Sequence, residues 1–227
     1  MVAVAVTLAV TASGASSRPD YSAWQWFNHY YENPQPDLFV ESMFELSRNG
    51  HFEQPYQISV ALGFITSLLR QNPDRVDEWL LYCRALPERH QRLVFAALWY
   101  AGHPKGTEIL QTYAETTENP RLRTLLEGLL ASSSSFDQAQ VNTSLSLHVQ
   151  WGVFLATGDQ APLQAIFAAV GDNHQIPLQL RWQLMQDAAR HERVRDYCEQ
   201  LAEHEPGLLG EVMRTVLLEH AAAAPRF

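Results

Sequence analysis

Hydrophobic residues recur along most of the chain every three or four positions, which is the period of an amphipathic α-helix. Segments 58–69, 93–101 and 163–170 are apolar on nearly every side, so we expect these helices in the interior. Other segments carry a single apolar stripe, which suits a helix that covers the interior ones. Two such stripes are Leu122, Leu125, Leu126, Leu129 and Leu130, and Leu208, Leu209, Val212, Met213, Val216 and Leu217. The pattern predicts an all-α fold, either stacked helical hairpins resembling an α-solenoid of about 9–11 helices or a layered helical bundle.

Prolines mark the expected helix starts, because Pro favours the first helical position and disfavours helical backbone in the residue before it. Four of them are spaced by 14, 17 and 16 residues: Pro73, Pro87, Pro104 and Pro120. Each interval leaves room for one helix of about three turns and a short connection. Two such helices make a unit of the size found in helical-hairpin repeats.

The chain divides into segments at its most polar stretch, residues 132–143, which begins with four consecutive serines. We predict a leader over 1–19, helical hairpins over 20–131, a polar connection over 132–143 and C-terminal helices over 144–220. The connection is a hinge between halves or a long surface loop, and the parts are expected to form one continuous domain. Thr-Gly-Asp at 157–159 predicts a hairpin joint, with the glycine in the left-handed conformation.

The first ten residues, MVAVAVTLAV, form an apolar run of signal-peptide length that is too short to span a bilayer. Small residues follow at 12–15, and cleavage there would leave a chain beginning between Ala15 and Arg18. We therefore predict a periplasmic or secreted protein without stable membrane insertion. A basic segment ahead of the run is missing, so the alternative is a cytoplasmic protein in which the run is a buried element.

The net charge bears on which partners the protein can bind, and the positions of the two cysteines bear on whether their thiols are buried. Sixteen Lys and Arg against 25 Asp and Glu give a net charge of −9, which repels phosphate backbones and excludes nucleic acid as a partner. Cys83 and Cys198 each lie on the apolar stripe of a predicted helix. We expect both thiols to be buried, since free Cys behaves as a small hydrophobe.

Motifs that bring catalytic or metal-binding groups together within one helix are missing. His191 and His204 are each followed by Glu but lack a second His four positions later, as the zinc-protease motif requires. Glycine-rich phosphate-binding motifs and Gly-x-Ser-x-Gly are also absent. From spacing alone we predict no catalytic constellation, no cofactor and no stoichiometric zinc.

An aromatic segment near the N-terminus offers the one candidate binding surface. Trp24, Phe27 and Tyr31 follow helical spacing and are expected to dock the segment on the first hairpin. Trp26 and Tyr30 then point elsewhere, and we interpret them as candidate ligand-binding residues lining a groove for a peptide or glycan.

Three phrases in the sequence occur together: YYENPQP at 30–36, FITSLLRQNPD at 64–74 and WGVFLATGD at 151–159. Together they resemble uncharacterised bacterial all-helical proteins, and the resemblance covers about residues 24–170. It implies a helical fold and carries no activity or site residue.

We expect a non-enzymatic binding or scaffold protein of the bacterial envelope, with another protein or peptide as partner, because stacked hairpins offer extended concave surfaces. The alternatives are an enzyme with a dispersed His, Asp and Glu site and an acidic immunity or inhibitor protein that attracts a basic partner. A cleft that collects at least two of four histidines with carboxylates would favour the enzyme. These are His90, His103, His148 and His174.

Overall fold

The computed structural model describes residues 22–132, 144–171, 190–205, 207, 210–211, 213–215 and 217–218. All regular elements in this part of the chain are helical, which confirms the predicted all-α fold. The α-helices are α1 (Ala23–Asn28), α2 (Phe39–Arg48), α3 (Pro55–Gln71), α4 (Val76–Cys83), α5 (Glu88–Ala101), α6 (Gly106–Thr116), α7 (Pro120–Ala131), α8 (Ser144–Thr157), α9 (Gln160–Gly171) and α10 (Glu192–His204). Short 3₁₀ helices lie at Tyr30–Glu32, Pro36–Leu38 and Pro73–Arg75.

The helices begin and end where local chemistry dictates. Pro120 is the first residue of α7, and the side chain of Asn119 caps that helix by accepting hydrogen bonds from two backbone N–H groups at 3.0 and 3.2 Å. Pro87 lies directly before α5, and Pro73 opens a 3₁₀ helix. Three of the four spaced prolines therefore lie at or directly before a helix start, whereas Pro104 precedes the first residue of α6, Gly106, by two positions. Gly158 has φ +69° between α8 and α9, so the predicted hairpin joint is also confirmed.

Helix α3 lies at the centre of the described core, and its most extensive contact is with α8. The two helices approach so closely that neither accepts a side chain at the crossing. A Cβ atom added to Gly63 would overlap the carbonyl oxygen of Val149, and one added to Gly152 would overlap that of Val60. The pair of glycines therefore sets the distance between the helices.

The other helices surround this pair. Helix α5 packs on α3, α7 packs on α5 and α6, and α9 packs on α8. Leu122 and Leu126 of α7 are buried, as the stripe pattern predicts. Together the buried apolar side chains of the described segments form one cluster that joins the first helices to α8, α9 and α10.

One sequence expectation differs from the structure, and two others lie wholly or mostly outside the described residues. Segment 58–69 is interior only from Ala61 onward, and Ile58 is 39% exposed because the first turns of α3 lie at the surface. The predicted leader and most of the polar connection lie outside the described residues. No described helix combines the length and the apolarity needed to cross a bilayer.

Both cysteine side chains are buried, as expected, at Cys83 in α4 and Cys198 in α10. Burial in apolar surroundings raises the pKa of the Cys83 thiol to about 12, so this group stays protonated at neutral pH.

Candidate metal centre

The site begins at the turn that follows α1. His29 directly follows α1 and precedes the 3₁₀ helix Tyr30–Glu32, which places Glu32 three residues further on. Side chains three residues apart eclipse one another in a 3₁₀ helix, so His29 and Glu32 lie on the same side of the turn. Nδ1 of His29 is 3.1 Å from Oε1 of Glu32, and both side chains are partly exposed. Tyr30 and Tyr31, between them, are buried.

The third residue comes from the other end of the described chain. His191 directly precedes α10 and is only 2% exposed. Its ring packs edge-on against Trp151, with centroids 5.4 Å apart, and against Phe154 at 6.1 Å. Its Nδ1 lies 3.3 Å from the hydroxyl oxygen of Tyr31. These contacts hold the imidazole in one place and one orientation.

His29, Glu32 and His191 converge on one point. One ligand atom from each, nitrogen or oxygen, lies within 4.8 Å of the other two, and the described residues contain no second group of this kind. The ring centroids of the two histidines are 5.1 Å apart. Ligand atoms around a tetrahedral zinc ion lie about 3.3 Å apart, given bonds of about 2.0–2.1 Å. The spacing of His29 and Glu32 meets this value already, and rotation of their partly exposed side chains would bring them to His191.

The electrostatics keep the site in the form that a cation needs. Burial, together with nearby His29, lowers the pKa of His191 to about 4, although Glu32 opposes the shift. Burial would raise the pKa of Glu32, but hydrogen bonds with His29 and Tyr31 outweigh it and lower that pKa. Near neutral pH, His191 is therefore neutral and Glu32 is ionised.

The beginning of α10 is fixed against the turn by a second set of contacts. Nη1 of Arg193 donates to the carbonyl oxygen of Gly158 at 2.8 Å, and its guanidinium lies 5.1 Å from the ring centre of Tyr31. A Cβ atom on Gly158 would collide with both Arg193 and Tyr31. The hairpin joint between α8 and α9 thus helps position the ligand-bearing ends.

Trp26 and Tyr30, predicted to line a binding groove, are instead buried, and this corrects the expectation. Trp26 is 7% exposed and Tyr30 is 2% exposed, and both pack edge-on against Phe64. Nε1 of Trp26 donates to the carbonyl oxygen of Gln35 at 3.0 Å, so its polar atom is also used internally. Trp24, predicted to dock, is instead 42% exposed. Within the six-residue α1 the buried face is formed by Ala23, Trp26 and Phe27, at i, i+3 and i+4, so Trp24 lies outside it.

The histidines proposed for a dispersed enzyme site do not meet among the described residues. His90 contacts Ser47 through Nδ1 at 2.7 Å, His148 lies beside Tyr56, and His103 contacts the carbonyl oxygen of Pro73. His174 lies outside the described residues.

The sequence does contain one signal of the centre. His29 and Glu32 form a His-x-x-Glu pair, and pairs three residues apart supply ligands on one side of a helical turn. The zinc-protease motif requires two histidines four residues apart, so it does not include this pair. No local pattern marks His191 as their partner, because it lies 159 positions after Glu32 in the sequence.

The amino-acid sequence matches no protein-family model and no curated protein, and the structure matches no solved structure. The support for a metal centre is therefore the arrangement of its three ligand side chains.

Proposed function

We propose that this chain binds a divalent transition-metal ion of the zinc class, held by His29, Glu32 and His191. The observation that carries the proposal is the convergence of these three ligand groups within 4.8 Å. It departs from the expectation of no zinc, which considered only ligands close together in sequence.

The chemistry of the ligands selects the metal. Imidazole nitrogen suits zinc, copper, iron and nickel, whereas calcium and magnesium prefer sites made of oxygen alone. Two neutral imidazoles and one carboxylate offset one of the two charges of the ion. Three protein ligands also leave a fourth tetrahedral position for water, on the side where His29 and Glu32 are exposed.

The test is zinc titration of the full-length protein by calorimetry, after removal of metal with a chelator. We expect one zinc ion per chain, and at least about tenfold weaker binding in Glu32→Gln and His29→Ala, since each removes a direct ligand. Both positions are partly exposed, so these variants should fold. Cobalt in place of zinc should give the visible absorption of a tetrahedral N and O site.

The matched control is His204→Ala, which removes an exposed histidine of α10 outside the centre. It should bind zinc like the unchanged protein. Equal zinc binding by Glu32→Gln and the unchanged protein, or an equal loss in His204→Ala, would show that the ion binds elsewhere and would reject the proposal.

The envelope location and the protein or peptide partner remain predictions from the sequence. A metal-binding role is compatible with both, because a binding protein can carry its ion in any compartment that supplies zinc.

A further inference from the structure

Three arginine side chains come together at a cavity outside the metal centre. The cavity has a volume of about 380 Å³ and lies where α5 and α7 begin. It is lined by Pro87, Glu88, Arg89, Arg92 and Arg121. Three positive charges and one negative charge therefore line it, although the chain as a whole carries a net charge of −9. Such a local excess of positive charge favours an anionic ligand.

The carboxylate that lines the cavity is held by contacts within the protein. Glu88 accepts a hydrogen bond from Arg92 and another, at 2.6 Å, from Nδ2 of Asn119, so both of its oxygens are occupied. Arg89 pairs with Glu53, which is not one of the lining residues. Two of the three arginines therefore have a carboxylate partner.

The third arginine is available to a ligand. Arg121 is exposed at the cavity and forms no ion pair with any residue that the structure describes. Helix α5 contributes to the positive potential as well. Pro87 precedes this helix and gives it no side-chain cap, so its first N–H groups carry a partial positive charge beside the lining residue Glu88.

We propose that this cavity binds a phosphate group, either free phosphate or the phosphate of a small monoester. The planar guanidinium of arginine matches the oxygens of phosphate with two parallel hydrogen bonds. The phosphate of a monoester presents three acceptor oxygens to the three arginines, whereas a carboxylate presents two. The volume of the cavity also leaves room for the organic part of a monoester. The cavity shares no residue with the metal centre, so this proposal does not depend on the proposed function.

Titration of the full-length, chelator-treated protein with inorganic phosphate tests the proposal, followed by ¹H–¹⁵N NMR at constant ionic strength. We expect saturable shifts of the backbone amides of Glu88, Arg89 and Arg121. Arg121→Gln should weaken phosphate binding on the order of tenfold, because it removes a charged hydrogen-bond donor. This variant breaks no ion pair among the described residues, and its own spectrum shows whether it remains folded.

The matched control is Arg195→Gln, which changes the net charge equally but lies on α10, where Arg195 pairs with Glu192. It should bind phosphate like the unchanged protein. A second titration, with phenyl phosphate, separates the two sources: tighter binding than inorganic phosphate indicates a monoester, and equal or weaker binding indicates free phosphate. The proposal is overturned if phosphate gives no saturable shifts at the cavity, if Arg121→Gln binds as tightly as the unchanged protein, or if Arg195→Gln loses as much affinity.

Discussion

At the scale of single residues, His90 shows how burial makes a neutral side chain sensitive to acid. The residue is buried in α5, its Nδ1 contacts the Ser47 hydroxyl, and its ring packs edge-on against Phe52. Nε2 is enclosed without a hydrogen-bond partner among the described residues. Burial lowers the pKa of His90, Arg89 adds to the shift and Glu53 opposes it. Protonation would place a charge and an unsatisfied N–H in the core.

The direction of the pH effect on stability follows from the lowered pKa of His90. Because the folded pKa lies below the usual value of about 6.5, the unfolded chain takes up a proton that the folded chain does not. We predict that the contribution of neutral His90 to the free energy of unfolding is fully present above about pH 6.5 and is lost as the pH drops below it. In His90→Asn, which keeps a polar atom near Ser47 but does not titrate, this fall should be smaller.

Urea unfolding of chelator-treated protein at several pH values measures the effect. His204→Asn, at an exposed histidine, serves as the control and should keep the slope of the unchanged protein. Identical slopes in His90→Asn and the unchanged protein would contradict the prediction.

At the scale of helices, the crossing of α3 and α8 depends on two residues that lack a side chain. Alanine normally favours a helix over glycine by about 1 kcal/mol. At Gly63 the added Cβ would strike the backbone of α8, which cannot move away as a flexible side chain could. Steric overlap therefore outweighs helix propensity at this position.

We predict that Gly63→Ala lowers the free energy of unfolding by on the order of 3 kcal/mol, as expected for overpacking against backbone. Gly128 of α7 provides the opposite case, because a Cβ atom there meets no atom within 4 Å. Gly128→Ala should raise stability by up to about 1 kcal/mol. Urea or thermal unfolding distinguishes the two, and a destabilising Gly128→Ala or a stabilising Gly63→Ala would contradict the reasoning.

Helix starts and turns could be predicted from the sequence, whereas the side chains and helices that come together in the fold could not. Pro120 and Gly158 act on their own backbone, so their effects are visible in a short window. The exposure of Trp24 and the burial of Trp26 depend on which face of the short helix α1 packs on the core, and aromatic residues on both faces leave that choice open in the sequence. The convergence of His191 with His29 depends on the whole arrangement of helices.

At the scale of the whole molecule, the proposed centre connects the turn after α1 with the start of α10. An ion bound there would hold the start of α10 to the turn after α1, in addition to the contacts of Arg193. A ligand that binds only the folded state stabilises it, by about 2.7 kcal/mol at one hundred times its dissociation constant. Zinc should therefore raise the melting temperature and slow hydrogen exchange in α10.

Hydrogen exchange monitored by mass spectrometry, with zinc and with chelator, tests this prediction. His29→Ala should lose the effect of zinc on α10, while His204→Ala should retain it. Protection of α10 by zinc in His29→Ala would show that the ion stabilises the helix from another site.

The closeness of α3 and α8 also has a consequence for how the chain is made. Helix α3 ends at Gln71, but α8 is complete only at Thr157, 86 residues later. At about 5–20 residues per second, a ribosome needs on the order of ten seconds to supply that partner. During this interval the glycine-bearing face of α3 has no α8 to cover it, and closing the long intervening loop slows the pairing further. We therefore predict that nascent chains of this protein expose an apolar face of α3 until the native crossing with α8 forms.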